Sequence, residues 1–211
     1  MRVIAIDGPA GSGKSTVGRA VAARLGLDYL DTGAMYRSVA FAAMRRQVDV
    51  SDADRVARVA RDIELSMPDD GTVVVDGADA TIEIRGPEVT RAVSIVAANP
   101  VVRSELVSRQ RDWARRHGGG VIEGRDIGSV VFPDAELKLY LDASPEVRAQ
   151  RRAGEVTDLD YERVAADLAR RDAMDQGRES DPLLTAEGAV VVDTTHRSID
   201  DLVEEIVGML P

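Results

Sequence analysis

Gly8-Pro9-Ala10-Gly11-Ser12-Gly13-Lys14-Ser15 fits G-x-x-x-x-G-K-[ST], the pattern of a phosphate-binding loop. The apolar run Val3-Ile4-Ala5-Ile6 leads into it, and a helical pattern over residues 16–25 leads out. That strand–loop–helix setting gives the pattern a mechanism. Glycines let successive backbone N–H groups curl around an anion, and the helix N-terminus adds partial positive charge. The expected triphosphate cradle is Gly8, Pro9, Ala10, Gly11, Ser12, Gly13, Lys14, Ser15 and Thr16. Lys14 is expected to reach the β- and γ-phosphates, and the Ser15 hydroxyl to ligate Mg²⁺. The loop therefore predicts binding of ATP or a similar triphosphate.

Outward from the loop, composition narrows the classes. A chain of 211 residues suits one domain with an inserted lobe. It has no cysteine and two histidines, so disulfides, thiolate metal sites and His-based zinc clusters are not expected. The start, Met1-Arg2-Val3-Ile4-Ala5-Ile6-Asp7, does not read as a signal peptide, and no run approaches the ~20 apolar residues that span a bilayer. A cytoplasmic location without membrane attachment is the expectation. A net charge of −10 argues against a nucleic-acid polymer as partner. No apolar stripe beyond the core is evident, so a monomer is expected. Lys14 and Lys138 are the only lysines among the 27 basic residues, and the other 25 are arginines. Coding bias toward arginine accounts for most of these, but not for a lysine in the loop, where a slim point charge suits phosphate.

Three more apolar runs read as buried parallel strands, over 120–123, 137–141 and 189–192, with a shorter one over 28–31. Helical patterns lie between them, over 34–46, 52–62, 100–117, 145–153, 159–174 and 199–210. The alternation predicts an α/β fold: a parallel sheet flanked by helices, with ligands beyond the carboxyl ends of the strands. Residues 63–88 break the alternation. Strands over 63–66, 72–75 and 81–84, with turns at Pro68-Asp69-Asp70-Gly71 and Asp76-Gly77, predict a small antiparallel meander. It is either an inserted lobe or a hairpin decorating the sheet. Gly118-Gly119-Gly120 reads as a helix cap and joint before a strand.

The phosphate loop alone does not choose between a kinase, a GTPase switch and a motor ATPase. Asn-Lys-x-Asp is absent, since the only asparagine is Asn99 followed by Pro100, and no Asp-x-x-Gly occurs. The switch reading thus loses its specificity elements. Downstream arginines and hydroxyls point to a second phosphorylated ligand. Thr32 and Arg37 sit where a strand passes into a helix, and Arg125-Asp126 follows a strand. Arg171, Asp175 and Arg178 fall near one helical face, as a site cluster or a surface salt-bridge ladder. Arg148, Arg151 and Arg152 form a further basic patch.

These motifs in combination resemble bacterial cytidylate kinases, nucleoside monophosphate kinases, over nearly the whole chain. They are Ile4-Ala5-Ile6-Asp7-Gly8-Pro9, Asp31-Thr32-Gly33-Ala34-Met35-Tyr36-Arg37, Gly124-Arg125-Asp126-Ile127-Gly128 with Val131-Phe132-Pro133-Asp134-Ala135, and Arg171-Asp172 with Asp175 and Arg178. The resemblance implies ATP-dependent phosphorylation of CMP, with dCMP also accepted. It implies a core over 1–32 and 91–211, a monophosphate-binding lobe over 33–90, and a lid over 148–160 closing on the ATP phosphates. Ser94, Arg103 and Asp126 match positions that recognise cytosine. Thr32, Arg37 and Arg125 match the α-phosphate site of the acceptor, and Arg171, Asp175 and Arg178 its ribose and phosphate side. Arg148 falls in the lid. Lys14, Arg37, Arg125, Arg148 and Arg178 are the implied catalytic charges. Thr32 stands where serine also occurs, and Glu123 where aspartate can occur, which leaves its link to Mg²⁺ open. A kinase for AMP, UMP or shikimate, and a regulator that binds ATP without transferring phosphate, are the alternatives.

Overall fold

The computed structural model describes residues 1–68, 71–155 and 160–210. Asp69 and Asp70 of the expected turn, residues 156–159 of the expected lid, and Leu159 at the expected start of a helix lie outside them.

By internal packing the chain forms two units, Met1–Leu30 together with Ala114 onward, and Asp31–Trp113. The first holds the sheet. Strand β1 (Arg2–Asp7) passes into the loop, then α1 (Lys14–Leu25) and β2 (Tyr29–Asp31). After the second unit come β6 (Gly119–Glu123), a wide turn (Ile127–Val131), β7 (Leu137–Asp142), α6 (Pro145–Glu155), α7 (Tyr161–Gln176), β8 (Val190–Asp193) and α8 (Ile199–Gly208). The strand order is β2-β6-β1-β7-β8, with β1 parallel to both β6 and β7. This is the expected parallel sheet flanked by helices.

The central position of β1 explains its unbroken apolar run. Both of its faces are covered, so Val3, Ile4, Ala5 and Ile6 are all buried. Ile4 and Ile6 pack with Val17 and Val21 of α1, Leu139 and Leu141 of β7, and Leu202 and Ile206 of α8. Each fully buried Ile or Leu there contributes about 1.5–3 kcal/mol. The run over 189–192 behaves differently. β8 is an edge strand, with Val191 60% exposed and only Val192 buried. An apolar run records hydrophobicity, not the number of neighbouring strands, so the burial expected of this run does not hold for β8. Gly119 is more than a joint: a Cβ there would lie 1.9 Å from the Arg2 carbonyl oxygen, so glycine permits the close approach of β6 to β1.

The second unit runs Asp31–Trp113, and an expected boundary at residue 90 falls inside one of its helices. It comprises α2 (Thr32–Arg45), α3 (Ala53–Asp62), β3 (Leu65–Ser66), β4 (Val74–Val75), β5 (Ala78–Asp79), a 3₁₀ turn (Glu83–Arg85), α4 (Pro87–Ala98) and most of α5 (Pro100–His117). The three strands form the expected antiparallel meander in the order β3-β4-β5. Its third strand is Ala78–Asp79, not residues 81–84. The Asp79 carboxylate accepts from both the backbone N–H and the hydroxyl of Thr81, closing a turn that sends Ile84 inward on a helical bond to Ala80. Helix α4 is an addition to the expected elements. Pro87 at its first position, and the spacing of buried Val89, Ala92, Val93, Val96 and Ala97, are the signals that mark it.

Candidate active site

In the sheet-bearing unit the loop after β1 is held open by glycine. Gly8, Gly11 and Gly13 have φ of 146°, 77° and 87°. A Cβ at Gly8 would lie 2.0 Å from the Leu141 carbonyl oxygen, and one at Gly11 2.9 Å from that of Arg148. Helix α1 starts from Gly13 with no side-chain cap, whereas Asp31, Asp52 and Ser198 cap α2, α3 and α8. Its first amides therefore keep the donor capacity that an anion can use. Lys14 is buried, donating to the Pro9 carbonyl at 2.6 Å and the Ser12 hydroxyl at 3.4 Å. Thr16 is exposed on α1.

The Ser15 hydroxyl donates to Glu123 Oε1 at 2.7 Å, and Glu123 is buried at the end of β6. A hydroxyl and a carboxylate at this spacing fit Mg²⁺, which uses one or two protein oxygens and takes the rest from phosphate and water. Among the described residues no cluster of three acidic or imidazole groups offers an all-protein cage.

Two helices brace the loop. Arg148 of α6 pairs with Asp172 of α7 and donates to the carbonyls of Ala10 at 3.2 Å and Ala143 at 3.1 Å. Asp172 also accepts the Ala10 N–H at 3.4 Å. Arg151 donates to the Thr194 hydroxyl at 3.0 Å and its carbonyl at 2.6 Å, and that hydroxyl donates to the Ser12 carbonyl at 2.9 Å. Sequence reasoning quoted Asp172 without a role and missed Thr194, because each acts across long stretches of chain that no local pattern records.

Arg171 and Asp175 are buried, and Arg178 is half-buried with its side chain largely covered, which rules out the surface-ladder alternative. Asp175 is 4% exposed, receives Arg125 Nε at 2.9 Å on one oxygen, and pairs with Arg178 through the other. Arg178 lies beyond the end of α7, at Gln176. Burial works to raise the Asp175 pKa, but the charges of Arg125, Arg178 and Arg171 hold it below the usual carboxylate range. Burial likewise opposes the charge on Arg125, and Asp175, with Asp172 and Glu123, raises its pKa despite that.

Asp7, at the end of β1, is 3% exposed and behaves oppositely. Burial pushes its carboxyl up to about 6, with Asp126 adding to the rise and two backbone N–H bonds and Lys14 opposing it. A raised acid pKa means that the folded state holds the proton more tightly than the unfolded chain. Its contribution to stability is thus most favourable at low pH and declines as pH rises through about 6. The span from 3.8 to about 6 corresponds to ~3 kcal/mol. Urea unfolding of the wild type and Asp7→Asn should show their stability difference moving toward the variant by about that amount from pH 4 to pH 7. A pH-independent difference would refute the assignment.

In the second unit, the Asp31 carboxylate caps α2 at the Ala34 N–H, 2.9 Å away, and meets Arg85 at 3.4 Å. Thr32 is buried in the first turn. A Cβ at Gly33 would come 3.2 Å from Arg37 Nη1, so the Arg37 guanidinium folds back over that turn. Arg103, only 2% exposed, lies with its guanidinium carbon 5.8 Å from the Tyr36 ring centroid and donates to the Ala97 carbonyl at 3.3 Å. Ser94 on α4 is 4% exposed. This unit thus carries Thr32, Arg37, Ser94 and Arg103, while the sheet-bearing unit carries Arg125 and Asp126.

The sequence model of the cytidylate kinase family matches residues 4–211. The chain is 46% identical to the cytidylate kinase of Streptomyces griseus, over 99% of this chain and 92% of that protein. It is 47% identical to that of Mycobacterium avium, over 97% of this chain and 92% of that protein. Among solved structures it resembles an uncharacterized protein from Eubacterium ventriosum, with a TM-score of 0.56 at 12% identity, covering 99% of this chain and 97% of that one. At that identity the likeness speaks for the fold alone.

Proposed function

Because this chain belongs to the cytidylate kinase family, we propose that the residues described above carry out ATP-dependent phosphorylation of CMP, and of dCMP, as follows. A phosphate oxygen of the monophosphate attacks the γ-phosphorus of ATP, the bond to the β–γ bridging oxygen breaks, and ADP leaves as the diphosphate product forms. The attacking oxygen is already anionic, so no general base is needed, and catalysis consists of positioning and charge neutralisation. The loop amides and Lys14 grip the donor phosphates. Arg37, Arg125, Arg148 and Arg178 neutralise the transferring group, the kind of preorganised charge that supplies the largest catalytic term in many enzymes. Ser15 and Glu123 would hold Mg²⁺, whose chemistry is to screen the phosphate oxygens. Thr32, Arg37 and Arg125 hold the acceptor phosphate, and Arg171, Asp175 and Arg178 its ribose and phosphate side. Ser94, Arg103 and Asp126 read cytosine. The strand-rich lobe serves the monophosphate, and α6 opens the lid. The protein works as a cytoplasmic monomer on small nucleotides.

The observation that carries the base assignment is the burial of Arg103 and Ser94 in one unit, with Arg103 beside Tyr36. Polar groups so buried suit a ligand with matching donors and acceptors. Ser94→Ala and Arg103→Ala are each expected to raise the KM for CMP about 10- to 100-fold and leave that for ATP nearly unchanged. Equal effects on both substrates would overturn the assignment. A coupled ADP-release assay across CMP, dCMP, UMP, AMP, GMP and shikimate tests the acceptor, with ADP released fastest with CMP and dCMP.

A further inference from the structure

Asp7 is buried and has no part in the transfer described above. Its two carboxylate oxygens accept separate backbone bonds, from the Ile127 N–H at 2.8 Å and the Gly128 N–H at 2.8 Å. These amides begin the wide turn that follows Asp126. The turn is closed by N–H bonds from Val130 and Val131 to the Asp126 carbonyl and from Phe132 to that of Ile127. On the near side, the Gly124 N–H is bound to the Ile6 carbonyl at 3.0 Å. Arg125 and Asp126 are thus fastened at both ends to the last two residues of β1, which lead directly into the phosphate loop.

We propose that Asp7 is a positioning residue for the acceptor nucleotide, its two carboxylate oxygens clamping the loop of Arg125 and Asp126 to the strand that carries the phosphate loop. A carboxylate is the side chain that this job requires. Two N–H donors converge on it, and an asparagine would answer one while turning its own N–H₂ toward the other. Burying a carboxylate is costly, as the raised proton affinity of Asp7 records. Its neighbour Asp126 adds repulsion and Lys14 only partly relieves it. An apolar end to β1 would avoid that cost but leave two amides of the turn unanswered and its register loose.

The proposal rests on the reading that Arg125 and Asp126 serve the acceptor. The test is steady-state kinetics on Asp7→Asn and Asp126→Ala, with residue-resolved amide exchange on the wild type and Asp7→Asn. Asp7→Asn should raise the KM for CMP about tenfold and lower kcat, with the KM for ATP within about twofold. It should also speed exchange at Ile127 and Gly128 while the amides of α1 exchange as before. A rise in the KM for ATP equal to or larger than that for CMP, or no change in either, overturns the proposal. If Asp126→Ala raises the KM for CMP and Asp7→Asn does not, the clamp fails while the acceptor reading stands. If Asp126→Ala leaves it unchanged, that reading fails and the clamp with it. Should Asp7→Asn not fold, exchange on the wild type decides: protection at Ile127 and Gly128 like that of β6 supports the clamp, and exchange as fast as in exposed loops overturns it.

Discussion

Lys14→Ala should lower kcat about 10²- to 10³-fold while the protein stays folded. The size follows from what is lost: a positive charge beside phosphate oxygens, in a site where burial weakens screening by water. Survival of the fold follows from local chemistry. Lys14 opens α1, where alanine is a strong helix former, and its nitrogen donates to Pro9 and Ser12 within its own loop. The glycines that shape the loop remain, and Asp172, Thr194 and Arg148 still brace it. The check pairs steady-state kinetics with thermal unfolding. Turnover within a few-fold of the wild type, in a protein of unchanged Tm, would remove Lys14 from the phosphate site.

Asp175→Ala should be the most destabilising single change at the site, by about 3–5 kcal/mol. One buried carboxylate answers Arg125 through one oxygen and Arg178 through the other, in the field of Arg171. Removing it leaves buried positive charge without its counter-charge, which costs more than the intact pair contributes. Against a total stability of about 5–15 kcal/mol this lowers Tm by roughly 10 °C. Activity falls as well, because Arg125 and Arg178 lose the group that aims them. A Tm within about 2 °C of the wild type would refute the account. The pH dependence of this group runs opposite to that of Asp7. Its folded pKa is lowered, so its stabilisation is present above the unfolded pKa and is lost as pH falls through the folded one.

Much of the scaffold was legible because it rests on local signals. Helix α5 falls on the expected residues 100–117, and β1 and β7 stand where apolar runs predicted strands. The misread places are those where tertiary context outweighs pattern. Residues 81–84 have β-like composition, but the Asp79 side chain turns the chain there. Val190 and Val191 look like core residues and lie on an edge strand. Sequence reasoning gathered Arg171, Asp175 and Arg178 by helical spacing, but spacing could not separate a buried charge cluster from a surface ladder.

By itself, the sequence determined that this chain builds a phosphate cradle: glycines at Gly8, Gly11 and Gly13, a lysine and a hydroxyl at set intervals, and an apolar strand ahead of them. Those are properties of adjacent residues, governed by backbone sterics and helix periodicity. The tertiary structure alone decided what holds the cradle and its neighbouring loop in place. Asp7 meets Ile127 and Gly128, Asp172 meets Ala10, and Thr194 meets Ser12, across separations of 120 or more residues. No local pattern encodes such bonds. They form because the parallel sheet brings the carboxyl ends of distant strands together, where each buried donor and acceptor must find its partner.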